Sequence, residues 1–330
     1  MSKVAAQKKY TLGVDVGGTK IYTLLLDDEN RIVSTTKVKT HLGTPSVILE
    51  KIRMSICDVL TQASLQFVDL LAIGVGFPGP LNPWEGIVIE ATNLPKWDNF
   101  PLTAEISALA GCPAFLDNDV NLGTFAEALV GAGDGASNVV GIFLGTGVGG
   151  GLIFNKQIYH GTSGTAGEIG HMVVQYGGRK SPRKLTGSVE GLTSRTSVVE
   201  RIEGAIKKGT KSSLSINLRQ EKKIKSSSLA KAYRQNDKLV IRILHETATF
   251  VGVTVGSLVN LLAPDVIVLG GGLVEAIPEA ILPIARKVAA RISVPAAWKT
   301  VRLEEAKLGD NAVAMGAALL ARQQIHSRPE

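Results

Sequence analysis

Short apolar runs alternate with longer amphipathic stretches along most of the chain. Residues 10–15, 21–26 and 32–38 are β-prone runs, separated by a glycine turn and by the polar Asp27-Asp28-Glu29-Asn30-Arg31, which is the pattern of a hairpin meander. Across 45–66, Val47, Ile48, Ile52, Ile56, Val59 and Leu60 recur at helical spacing. A buried strand over 70–75 follows, then a helix over 102–110, a strand over 114–117 and a helix over 121–131. Residues 137–144 open a second strand–glycine–strand unit that continues at 151–154 and repeats the layout of the chain's beginning, as an internal duplication would. The pattern closes with a helix over 247–263, strands over 266–269 and 301–306, and helices over 277–292 and 312–324. Strands alternating with helices predict α/β layers, and the tightly joined opening strands predict antiparallel edges on mixed sheets. Two lobes with a cleft between them are expected, a common place for a ligand.

Three glycine-rich turns interrupt this pattern, each at the end of a strand-like run: Gly13-Val14-Asp15-Val16-Gly17-Gly18-Thr19-Lys20, Gly145-Thr146-Gly147-Val148-Gly149-Gly150-Gly151 and Gly270-Gly271-Gly272-Leu273. Glycine admits positive φ and close backbone approach, so successive N–H groups can face phosphate oxygens. Asp15 can hold Mg²⁺ through water while the N–H groups of Gly17, Gly18, Thr19 and Lys20 meet phosphates, although a plain hairpin uses the same residues. Neither a P-loop nor a dinucleotide fingerprint fits, because extended runs and not helices follow the first two turns. Asp117, Asn118 and Asp119 lie at a strand's carboxyl end before a helix. A carboxylate there can accept a proton from an attacking hydroxyl, and Asp119 can equally cap the helix. Gly167-Glu168-Ile169-Gly170-His171 and Glu190 supply groups that accept hydrogen bonds from a polyhydroxyl substrate, while His171 taken alone fits a structural histidine as well. The other histidines show no ligand spacing with one another.

The chain's 330 residues allow two domains, and 45% hydrophobic with 20% charged residues excludes a disordered protein. Two cysteines, Cys57 and Cys112, exclude a disulfide framework and a four-cysteine zinc site and point to a reducing cytoplasm. No signal-peptide core stands in 1–9, and the apolar stretch 250–263 is too short for a membrane span. The net charge of +7 gathers partly in Lys207, Lys208, Lys211, Arg219, Lys222, Lys223, Lys225 and Lys231. Without interleaved aromatics this stretch reads as a solvated, mobile basic surface and not as a nucleic-acid patch.

Taken in order, Asp15-Val16-Gly17-Gly18-Thr19-Lys20, Gly76-Phe77-Pro78-Gly79-Pro80, Asn118-Asp119, the 144–151 turn, Gly167-Glu168-Ile169-Gly170-His171 and Leu269-Gly270-Gly271-Gly272 resemble the ROK family of repressors and sugar kinases. The resemblance runs from about 10 to 322 and is strongest to bacterial glucokinases. It implies the two-lobed actin-like ATPase (ribonuclease H-like) fold, with a smaller lobe of 1–121 plus 311–330 and a larger lobe of 122–310. It implies Asp119 as catalytic base and Asn118, Glu168, His171 and Glu190 as sugar ligands. Asn93 and the loop holding Gly76, Pro78 and Gly79 would shape the sugar pocket. Asp15, Gly17, Gly18, Thr19, Lys20, Gly145, Thr146 and Gly147 would hold ATP phosphates and Mg²⁺, and Gly270, Gly271, Gly272 and Leu273 would cover the adenosine. Many members carry a Cys-x-Cys-Gly-x-x-Gly-Cys-x-Glu zinc loop; here Ser181, Arg183 and Ser188 occupy the cysteine positions, so no structural zinc is expected.

The activity so implied is ATP-dependent phosphorylation of glucose at its 6-OH by a homodimer that binds hexose and nucleotide, without nucleic acid or membrane. Mannose, fructose, N-acetylglucosamine and N-acetylmannosamine remain open as acceptors, and polyphosphate as donor. A sugar-responsive repressor is disfavoured, because about nine residues precede the first strand, too few for a helix-turn-helix unit.

Overall fold

The computed structural model describes residues 9–40, 43–90, 97–179 and 185–327. The chain begins β1 (Tyr10–Val16), β2 (Lys20–Leu26), β3 (Ile32–Lys39), α1 (Pro45–Gln62), β4 (Leu70–Phe77), β5 (Leu81–Asn82), β6 (Ile87–Val88), α2 (Leu102–Ala110), β7 (Ala114–Asn118) and α3 (Asp119–Val130). It continues with β8 (Val139–Leu144), β9 (Val148–Phe154), β10 (Gln157–Ile158), α4 (Val189–Thr193), α5 (Arg195–Lys207), α6 (Ser215–Arg219), α7 (Ser226–Arg234) and α8 (Lys238–Leu262). It ends with β11 (Val266–Gly270), α9 (Pro278–Ile292), α10 (Pro295–Thr300), β12 (Arg302–Glu305) and α11 (Ala312–His326). Two compact units result: the first holds the residues up to Glu127, His160–Ala166 and the chain from Asp310 on; the second holds Ala128–Tyr159 and Gly167–Gly309.

Each unit is organised around one five-stranded mixed sheet, in the orders β3-β2-β1-β4-β7 and β10-β9-β8-β11-β12. In the first, β1–β2 and β2–β3 are antiparallel while β1–β4 and β4–β7 are parallel. The second repeats those directions strand for strand. The duplication read from the glycine turns is therefore a duplication of sheet topology.

In the first unit α11 lies directly on β1 and β4. A Cβ on Gly13 or Gly74 would overlap the carbonyl oxygens of Ala314 or Ala317, and one on Gly316 would overlap the carbonyl of Leu122 in α3. The alanine-rich helix predicted from sequence thus works by closeness, with its backbone sitting where side chains would ordinarily stand. Arg322 fastens its far end, donating to Thr11 Oγ1 at 2.9 Å, to Asn30 Oδ1 at 2.6 Å and to the Asp27 carbonyl at 2.6 Å.

In the second unit α8 is the central helix. It is long and apolar enough to cross a bilayer, but its apolar face is buried in the core. Gly252 and Gly256, one turn apart, let α9 come close: added Cβ atoms would lie 2.6 Å from Val288 Cβ and within overlap of Ile292. The helix begins at Lys238 and not at 247, because Asp237 caps it, accepting from Leu239 and Val240 N–H groups. The basic 207–231 stretch is also more ordered than the charge pattern predicts. It contains α6 and most of α7, and it buries Leu214, Ile224, Leu229 and Ala230. Helix α1 stops at Gln62, four residues short of the predicted end, where Ser64 turns left-handed at φ 56°.

Replacing Gly74 by Ala is expected to destabilise the fold by about 1–3 kcal/mol or more, since α11 must move off β4. Urea denaturation measures this. An unchanged midpoint would show that the helix is not held by this contact.

Candidate active site

In the first unit the β1–β2 connection, the end of β7 and the start of α11 bring together Asp15, Lys20, Asp119 and Asp310. Asp15, in β1, is partly buried. Burial first, then the charges of Asp119 and Asp310, push its carboxyl up to about 7 against the opposing pull of Lys20. Lys20 Nζ lies 3.0 Å from Asp310 Oδ1, and Lys37 Nζ lies 3.0 Å from Asp310 Oδ2. These two lysines hold the Asp310 carboxyl below its ordinary range. The turn itself closes by Gly17 N–H donating to the Lys20 carbonyl at 2.9 Å, and among the described residues no heavy atom beyond its chain neighbours lies within 4 Å of the place a Gly18 Cβ would take.

The end of β7 settles which residue caps α3. Asn118 Oδ1 accepts from the N–H groups of Val120 at 2.9 Å and Asn121 at 3.4 Å, so Asn118 is the cap and Asp119 the first helical residue. Behind them Asp117 is 1% exposed and fully engaged. Its Oδ1 accepts from Asn118 N–H at 2.8 Å and Asn121 Nδ2 at 3.0 Å, and its Oδ2 meets His160 Nε2 at 2.6 Å. His160 stands edge-on to Trp84. Gly76 is buried against Val313 and Leu122, a packing position, while Pro78 is half-buried and Gly79 is exposed with φ 102°.

In the second unit the 145–147 turn joins β8 to β9 and is held from three sides. Gly145 N–H donates to the Gly147 carbonyl at 2.9 Å, and Arg195 N–H donates to the Gly145 carbonyl at 3.0 Å. Arg195 Nη2 donates to Thr146 Oγ1 at 2.8 Å, and Thr196 Oγ1 donates to the Thr146 carbonyl at 2.7 Å. Glu190 Oε2 accepts from Val148 N–H at 3.1 Å and occupies the space a Gly147 Cβ would need. The 167–171 turn sits on β9 in the same manner: Cβ atoms on Gly150 or Gly170 would collide with the Gly167 or Val148 carbonyls. His171 Nε2 lies 3.7 Å from Glu168 Oε2, with Glu168 the more exposed of the two. Gly271, at φ 83°, packs its backbone onto Leu144, and Leu273 N–H donates to the Leu144 carbonyl at 3.0 Å. Beside Gly272 stands Ser226, whose Oγ is buried without a hydrogen-bond partner among the described residues.

The family model for the ROK family matches residues 11–324. The chain belongs to the ROK family. This ROK protein is 31% identical over 324 residues to a glucokinase of Halalkalibacterium halodurans, a match covering 97% of each chain. It superposes on the ROK family glucokinase of Streptomyces griseus, solved with glucose and AMPPNP, with a TM-score of 0.77 at 30% identity, covering 95% of this chain and 99% of that one. It is also 25% identical over 307 residues to the xylose repressor of Bacillus subtilis, spanning 75% of that protein. Its α/β fold with mixed sheets is the actin-like ATPase fold of the ROK sugar kinases.

The site residues expected of a ROK protein thus fall into two groups. Asp15, Gly17, Gly18, Thr19, Lys20, Asn118 and Asp119 lie in the first unit, whereas Gly145, Thr146, Gly147, Glu168, His171, Glu190 and 270–273 lie in the second. Asn93, Ser181 and Arg183 lie outside the described residues; Ser188 caps α4, accepting from Gly191 N–H at 3.1 Å. Positive φ does not explain most of the turn glycines. Of the glycines in the three turns only Gly271 adopts it, and Gly147, Gly150 and Gly270 are instead glycine because neighbours crowd the Cβ position. Sequence reasoning missed Asp310, His160, Arg195 and Ser226. Asp310 precedes the last helix by two residues, and nothing local marks it.

The raised Asp15 carboxyl has a cost. Stability from this group is complete below its unfolded value of 3.8 and is lost as pH rises through about 7. Over that shift the loss is on the order of 4 kcal/mol. Asp15→Asn is therefore expected to be more stable than the parent at pH 8 without nucleotide or divalent cation, with the advantage gone at pH 4. Parallel melting profiles across that range would contradict this.

Proposed function

We propose that this chain is a glucokinase that transfers the terminal phosphoryl group of ATP to the 6-OH of glucose, with Asp119 as general base. That it is a sugar kinase, and so a phosphotransferase, rests on the family match and the full-length glucokinase relatives. The observation that supports the finer reading is that Asp119, first residue of α3, lies close enough to Asp15, at the end of β1, for its charge to raise the Asp15 carboxyl. Asn118 caps the helix, and Asp119, whose Oδ1 also accepts from Val120 N–H at 2.9 Å, serves in this reading as proton acceptor. Asn118 Oδ1 is committed to the helix, so its Nδ2 is the group it offers a sugar. Glu190, with Oε2 on Val148 N–H, ties the sugar ligands to the phosphate turn and meets a hydroxyl through its other oxygen. Glu168 and His171 accept or donate at further hydroxyls.

The donor set fits Mg²⁺–ATP. A carboxyl pushed to about 7 by burial and a neighbouring carboxylate is one that a cation would return to its ionised form. Among the described residues no group of three or more His, Cys, Asp or Glu forms an all-protein metal cage, which suits a cation held by Asp15 through water and by the nucleotide's own phosphates. When bound, Mg²⁺ supplies charge neutralisation for the phosphoryl group in flight. The open space over Gly18 and the N–H groups of Thr146 and Gly147 receive phosphates, and Ser226 Oγ beside Gly272, unpartnered among the described residues, offers the adenosine a hydrogen bond. In this reading the protein is a cytoplasmic homodimer whose partners are hexose and nucleotide, without nucleic acid.

Asp119→Asn is expected to lower kcat by about 10²–10⁴-fold while glucose binding, read by calorimetry, stays within about threefold. ADP release measured across glucose, mannose, fructose and the N-acetylhexosamines, with ATP and with polyphosphate, is expected to be fastest with glucose and ATP. Near-normal turnover of the variant removes Asp119 from the mechanism, and a faster second sugar or donor corrects the substrate.

A further inference from the structure

The second unit contains a cavity of about 410 Å³ that none of the expected site residues lines. Its walls come from one face of α5 (Ser197, Glu200, Arg201 and Ala205), from Lys208 just past its end, from Arg242 and Ile243 of α8, and from Arg179. Four cationic side chains therefore converge on it, against the carboxylates of Glu200 and the adjoining Glu246. Arg201 is the decisive member. Its side chain is 6% exposed, and its Nη2 lies 2.5 Å from Glu246 Oε2 in an ion pair. Its Nη1 donates to Thr247 Oγ1 at 3.3 Å. Its Nε is buried without a hydrogen-bond partner among the described residues. Glu246 is shared with Arg179 at 3.8 Å, so one carboxylate serves two guanidinium groups. Burial, with Arg179 and Arg242 nearby, pushes the Arg201 guanidinium down despite Glu246. A buried arginine whose Nε has no acceptor among the described residues, in a polar cavity of small-molecule size, is a group that can take an anion.

We propose that this cavity binds the phosphate group of a small phosphorylated ligand, at a site separate from the 145–147 turn. A phosphate offers several charge-assisted acceptor oxygens to the converging Arg201, Arg242 and Lys208. The site is also mechanically connected. Helix α5 carries the cavity residues on its later turns, and its first turn supplies Arg195 and Thr196, which hold Thr146. An anion seated against Arg201 thus acts on the helix that positions the phosphate turn. Free phosphate, a sugar phosphate and a polyphosphate chain share this chemistry, and the test separates them.

Isothermal titration at fixed ionic strength, with inorganic phosphate, glucose 6-phosphate and tripolyphosphate, reads the site without any turnover. One saturable site per chain is expected for at least one of the three, retained in the presence of saturating AMPPNP. Arg242→Ala and Lys208→Ala, whose side chains stand at the exposed rim and leave the packing of α5 on α8 untouched, are each expected to weaken it about tenfold. The tightest of the three ligands identifies the source. No saturable binding, displacement by AMPPNP, or equal affinity in both folded rim variants overturns the proposal.

Discussion

The first unit holds a carboxylate, Asp15, near the end of its central strand, where burial and the charge of Asp119 push it up to about 7. Asp15 lies in β1, the central strand of the first sheet, registered to Tyr22 of β2 and Gly76 of β4 and within reach of the charge of Asp119. The fold imposes this closeness through α11. Gly13, Gly74 and Gly316 let that helix press its backbone onto β1, β4 and α3 together, which fixes the ends of β1 and α3 relative to each other. The same helix is preceded by Asp310, whose pairing with Lys20 and Lys37 holds the β1–β2 turn. Packing that has nothing to do with a ligand thus sets the electrostatics that a ligand would relieve.

The second unit uses the duplicated topology for a different purpose. Its corresponding turn, between β8 and β9, bears no carboxylate and is instead pinned by Arg195, Thr196 and Glu190 from α4 and α5. One sheet plan therefore yields a charged turn in one unit and a rigid, amide-lined turn in the other.

Much of this was legible in the sequence. The strand, turn and helix pattern around the glycine turns has short-range causes: β-branched runs, alanine-rich helix and glycine at crowded joints. The helices α5, α7 and the first turns of α8 were not read, because their charged residues mask an apolar face, although Asp237 was a visible cap. The candidate site divides in the same way. Asp15, Asn118 and Asp119 announce themselves by position at strand ends. Asp310 meets Lys20 across 290 residues of sequence, His160 meets Asp117 across 43, and no local pattern encodes such pairings. The reason for the glycines was also hidden: a sequence shows that a Cβ is missing, and only the fold shows that Glu190 or a carbonyl stands in its place.

The account turns on the ionisation of one side chain, and isotope-edited infrared titration of the Asp15 carboxyl in the nucleotide-free protein reads it directly. The account predicts a midpoint near 7 in the parent protein, falling when Asp119 is replaced by Asn. A midpoint in the ordinary carboxylate range, or one that Asp119→Asn leaves unmoved, would contradict it.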